Sequence, residues 1–155
     1  MSLYQNPKIL WSTEGGLPVG RKYLEAASQT NLKQGQFYYL NSGAVTVVAS
    51  DPALIHGIVN EDASGTTSAA IECFVIGPFD LIEMTYTGGT PVVGNAYGVA
   101  VGSNKCKLDV AESTAKCFVV DRLVDSTNSI VWVRPWIGKG SSTARDCPFQ
   151  AVFGA

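Results

Sequence analysis

Between Gln34 and Asn104 the chain has no lysine and no arginine. It has one histidine, His56, among its 155 residues, and charged residues make up 15% of it, against an ordinary share of about 25%. No apolar run approaches the ~20 residues that a membrane-spanning helix needs. The first eight residues, Met1 to Lys8, have no basic region leading into an apolar stretch, so a secretory signal is not expected. A pI near 5.3 with no basic cluster speaks against nucleic acid as a partner. With 46% hydrophobic residues the chain is too apolar for a disordered protein. Its length suits one domain.

The cysteines are as uninformative chemically as the charges are sparse. Cys73, Cys106, Cys117 and Cys147 form no CxxC pair, and structural zinc sites rely on close ligand pairs. Cys73 and Cys117 lie in apolar runs, where free cysteine behaves as a small buried hydrophobe. Four reduced thiols and no metal are therefore expected. His56, in Ala53-Leu54-Ile55-His56-Gly57-Ile58-Val59, has no orienting acid nearby and reads as a half-buried strand residue rather than a base. No phosphate-cradling loop, nucleophile elbow or HExxH pair occurs. Glu61-Asp62 reads as a solvated acidic turn. Neither an enzyme nor a cofactor is expected.

The remaining signal is for strands. Segments rich in Val, Ile, Thr and aromatics recur between Gly, Pro and Asn breaks, which predicts strands over 36–40, 44–49, 54–59, 69–76, 80–85, 97–101, 106–110, 116–123 and 130–136. Asn41-Ser42-Gly43 reads as a tight hairpin turn. The spacing predicts an all-β fold, a single small barrel or sandwich of short antiparallel strands. Gly20–Ser28 is the one stretch with helical character. No internal repeat of 20–50 residues is evident. Three regions follow: an irregular N-terminal arm over 1–33, a barrel over 34–137 and a tail over 138–155.

Charge follows the same division. Residues 1–33 carry a net charge of +2, residues 34–104 carry −6, and residues 105–155 carry +2. Two readings stand: acidic residues gathered on solvated loops, or an acidic body complementary to the basic ends of a neighbouring copy. Both ends are aromatic as well as irregular. Packing on the barrel would hold them in place, and so would contact with another subunit, for which Trp, Tyr and Phe are preferred anchors. The candidate interface residues are Trp11, Leu17, Tyr23, Leu24, Trp136, Phe149 and Phe153.

The stretch Gly35-Gln36-Phe37-Tyr38-Tyr39-Leu40-Asn41-Ser42-Gly43-Ala44-Val45, followed by Ile55-His56-Gly57-Ile58-Val59, resembles head decoration (cement) proteins of tailed bacteriophages. Val93-Gly94-Asn95-Ala96-Tyr97-Gly98-Val99, Lys107-Leu108-Asp109-Val110 and Phe118-Val119-Val120 continue the resemblance, which covers about 35–134. It implies a non-enzymatic structural protein of the virion, assembled in the host cytoplasm. Such a protein sits on the outside of the capsid as a homotrimer and stabilises the shell, with the major capsid protein as partner. In that setting Trp11, Leu17 and Tyr23 would anchor an N-terminal segment across capsid subunits. A tail- or fibre-associated β module and a carbohydrate-binding β module are the alternatives.

Overall fold

A computed structural model describes residues 6–12, 16, 18–102 and 104–137. The described residues form eleven strands and no helix: β1 Lys8–Trp11, β2 Val19–Glu25, β3 Phe37–Asn41, β4 Ala44–Val47, β5 Gly57–Val59, β6 Ala70–Val75, β7 Leu81–Thr87, β8 Ala96–Gly102, β9 Lys105–Asp109, β10 Phe118–Asp125 and β11 Ile130–Pro135. All nine expected strands are present. The helix expected over Gly20–Ser28 is not: Val19–Glu25 is β2, a barrel strand lying between β4 and β6. The stretch expected as an arm over 1–33 therefore contributes two strands to the sheets. The tail over 138–155 lies outside the described residues.

β2 to β6 close into a barrel in the order β2-β4-β3-β5-β6. The rest form a six-stranded sheet, β1-β7-β11-β10-β8-β9, in which β7 also pairs with β9. That pairing closes a second five-stranded ring, β7-β11-β10-β8-β9, with β1 laid against β7. The fold is thus all-β with a small closed barrel, as expected, and a second ring of five strands stands beside it.

The two rings share one topology. In each, the first strand pairs in parallel with the third and antiparallel with the fifth; the second pairs with the third and fourth, and the fourth with the fifth. The registers correspond too. Tyr38↔Gly57 in the first ring matches Tyr97↔Phe118 in the second, and Glu25↔Val45 matches Tyr86↔Leu108. Backbone bonds outside the ladders repeat as well: Gly35 donates to Val59 and Gly94 to Val120, while Ile76 donates to His56 and Trp136 to Cys117. Gly35 and Gly94 share a left-handed φ, +89° and +88°. The chain is a structural tandem repeat with a spacing of about sixty residues.

Strand alternation fills both rings, as five strands leave room only for side chains. Inside the first are Tyr38, Val45, Val59, Ile71 and Cys73, with Tyr23 and Leu40 packed against them. Inside the second are Ile82, Met84, Val99, Leu108, Phe118, Val120, Val131 and Val133. Phe37, Ile55, Ile58 and Ile76 of the first half join this second core, and the Phe37 ring stacks on Phe118 at 5.2 Å between centroids. The rings therefore share buried surface rather than hanging on a linker. In the β3–β4 turn both Ser42 (φ +50°) and Gly43 (φ +83°) are left-handed, the two-residue geometry that matches strand twist. Asn41 stays in β3 as its last residue.

Candidate interaction surface

Trp11 and Leu24 are the candidate interface residues that the fold leaves exposed, at 47% and 52%. Trp11 ends β1, the short strand added to the outer side of β7. Leu24 alternates out of the first ring, opposite in sense to its inward neighbour Tyr23. Phe79, Val92, Val93, Val124 and Ile137 are also exposed, and sequence reasoning had singled out none of them. Phe79, Val92 and Val93 lie in loops, where apolar residues have no period to follow. The only cue was their setting beside the breaks Gly77-Pro78 and Gly89-Thr90-Pro91.

Tyr23 and Trp136 are half-buried in the chain itself. The Tyr23 ring lies 6.1 Å from that of Tyr38 inside the first ring. Trp136 packs on the second core beneath the Lys116 ammonium, 5.6 Å from the ring centroid. Leu17, Phe149 and Phe153 lie outside the described residues.

The acidic run from Gln34 to Asn104 is largely engaged within the fold. Asp80 is fully buried and accepts a bond from Gly77 N–H at 2.8 Å. Glu83 is buried between Lys8, whose Nζ lies 3.2 Å from Oε1, and Trp132, whose Nε1–H donates to Oε2 at 2.8 Å. Glu72 accepts from the Asn60 amide, Glu61 from Glu72 N–H, and Asp62 from Gln34 N–H. Most of these carboxylates hold loops and strand ends, and two are paired with basic residues of the N-terminal stretch, Glu83 with Lys8 and Asp62 with Lys33. Glu25, from the arm, does the same: buried at the end of β2, it accepts from Ser64 N–H, Ser64 Oγ–H and Gly65 N–H.

Burial shapes the titration of the histidine and of two of the thiols. His56 Nδ1 accepts the Leu40 N–H at 3.2 Å, and burial pushes its pKa below the ordinary value. Burial pushes the Cys73 and Cys106 thiols up to about 12, and Cys73 also feels Glu61 and Glu72. Cys73, Cys106 and Cys117 are free and buried; Cys147 lies outside the described residues. Among the described residues no group of His, Cys, Asp and Glu is placed to hold a metal ion. A groove of about 460 Å³ runs between Pro7–Ile9, Gln34 and Phe74, but it gathers no set of titratable side chains beyond Lys8.

Trp11 on β1 and Leu24 on β2 thus present apolar side chains to solvent from fixed strand positions. Comparison with models of known families, with curated protein sequences and with solved structures finds no match to this chain.

Proposed function

We propose that this chain is a structural virion protein that binds the outer surface of a tailed-phage capsid and stabilises it, acting as a homotrimer with the major capsid protein as partner. The observation that carries this reading is the set of large apolar side chains outside an otherwise closed core. Trp11 and Leu24 stand on strands, at fixed positions, with about half their surface exposed. Buried aromatic and aliphatic anchors of this kind dominate stable interfaces. Rigid strands also lower the entropy lost on docking. The resemblance of 35–134 to capsid decoration proteins supplies the partner class. Many copies per shell would add avidity to a contact of ordinary size.

The test is co-sedimentation of the full chain with assembled shells of the phage that carries it. Trp11→Ser and Leu24→Ser remove the anchors without touching either ring interior. Each is expected to weaken shell binding while leaving the melting temperature within about 2 °C of the parent, as surface changes usually do. Unchanged binding by the double variant would remove these two residues from the interface.

A further inference from the structure

The tandem repeat exposes a difference between the two rings. In the second, the first strand, β7, is covered along its lower half by β1, with Lys8 opposite Glu83 and Trp11 opposite Leu81. Asn6 seals the end of this slot. Its Oδ1 accepts from Cys106 N–H at 3.0 Å, and its Nδ2 donates to the carbonyls of Gln34 and Asn104. In the first ring the matching positions are Gly20 for Leu81 and Lys22 for Glu83, by the registers of β2 on β6 and of β7 on β11. On β2, Glu25 N–H donates toward β6 and Ala26 N–H toward β4. Even-numbered amides therefore face the β4 side. The β4 pairing covers only Leu24 and Glu25. Among the described residues no strand pairs with Gly20 or Lys22 on that side, and Gly20, Arg21 and Lys22 are exposed. Arg21 Nη1 donates to Gly20 O at 3.0 Å, capping one edge carbonyl from its own side chain.

We infer that the open edge of β2 at Gly20–Lys22 is a strand-docking slot that takes an extended acidic segment of a partner protein, with a carboxylate opposite Lys22. The filled slot on β7 shows the mode: an antiparallel strand of about four residues, completed by one cross-strand ion pair. Charge decides the occupant. Where the second ring presents Glu83 to Lys8, the first presents Lys22, so the incoming strand carries the opposite sign. That selects against β1 of a second copy, which would set Lys8 against Lys22. It also selects against residues 138–155, whose side chains carry a net positive charge from Lys139 and Arg145 against Asp146. Strand addition at a sheet edge draws affinity from main-chain hydrogen bonds and specificity from the side chains facing it. In assigning the partner to the capsid, the inference rests on the function proposed above; the slot itself does not.

Residue-resolved hydrogen exchange on the full chain separates the two. Free in solution, the amides of Gly20 and Lys22 exchange freely while those of Arg21 and Tyr23, which face β6, are protected. On assembled shells the Gly20 and Lys22 amides slow by at least tenfold, and Lys22→Glu and Gly20→Pro each weaken shell binding by at least tenfold. A heptapeptide copying residues 6–12 with Lys8→Glu slows the same two amides, and the unaltered heptapeptide does so less. Shell binding that is indifferent to both variants overturns the slot and leaves the capsid reading standing. Protection by the heptapeptide without any shell binding keeps the slot and removes the capsid. Three results overturn the inference outright: Gly20 and Lys22 protected in the isolated monomer, which places the chain's own residues there; protection that rises with self-association, which places a second copy there; and no slowing by either shells or peptide.

Discussion

Replacing Gly57 with alanine tests the packing of the first ring more sharply than any other single change. Gly57 lies on β5, hydrogen-bonded between β3 and β6, and faces the ring interior. A Cβ there would sit 1.8 Å from Phe74 O, 2.9 Å from Phe74 C and 2.9 Å from Tyr38 Cε1. The first two are backbone atoms of β6, fixed on one side by β5 and on the other by β2, so they cannot turn aside as a side chain would. The Tyr38 ring is fully buried and equally confined. Relief requires β5 and β6 to separate, which would break ladder bonds in a ring of only five strands. A cost at the top of the ~1–3 kcal/mol range for overpacking is expected. At roughly 2–4 °C per kcal/mol this lowers the melting temperature by about 6–12 °C. Gly20→Ala is the control, because a Cβ at Gly20 meets nothing within 4 Å; its effect should stay within about 1 kcal/mol. Both are read by thermal unfolding followed by circular dichroism. A Gly57→Ala protein that melts within about 2 °C of the parent would refute the close approach of β5 to β6.

Other changes probe the polar contacts. Glu25→Ala strips the 63–68 loop of its three-donor acceptor and should cost about 2–3 kcal/mol, with faster amide exchange at Ser64 and Gly65. Trp132→Phe leaves Glu83 Oε2 without its indole donor and should cost about 1.5–3 kcal/mol in urea unfolding. Lys8→Ala should cost less, because the lysine side chain is half exposed and solvent screens the pair. In a Cys147→Ser background the three remaining thiols should stay silent to a disulfide reagent at pH 8 until denaturant is added; fast reaction of the native protein would contradict their burial. The depressed pKa of His56 means that the unfolded chain binds more protons below its ordinary value of 6.5. Stability should therefore fall as pH drops below that value and hold above it. A His56→Gln variant that keeps the same slope would assign the effect elsewhere.

The strands of the body were legible because alternating Val, Ile and Tyr between Gly and Asn breaks has one ready interpretation. β2 was not. In Val19-Gly20-Arg21-Lys22-Tyr23-Leu24-Glu25 the apolar residues fall at helical spacing, and three polar or small residues mark an open strand edge rather than a helix face. The repeat was hidden for a related reason. Matching interior positions keep their inward orientation but not their identity: Gly57 matches Phe118, Tyr23 matches Met84, and Cys73 matches Val133. Volume is redistributed, so the Tyr38 ring lies over a glycine in one ring while Tyr97 faces Phe118 in the other. The second hairpin is also longer, which shifts the spacing along the chain, and a period near sixty lies above the 20–50 residues of the common repeat families. Among the interface candidates, exposure could not be read from residue type alone. Trp11 and Leu24 face solvent, whereas Tyr23 and Trp136 are partly spent on the chain's own core. Because β2 is a ring strand, deleting residues 1–33 would open the first ring, so single substitutions at Trp11 and Leu24 are the cleaner probes of the interface.

The most direct measurement of the central claim is titration of the full chain against assembled shells of the phage that carries it, with bound protein counted after sedimentation. Saturable binding at a fixed number of copies per shell, in multiples of three, is the result predicted for a decoration protein. A chain that stays in the supernatant at every concentration, with shells intact and the protein folded, would contradict it.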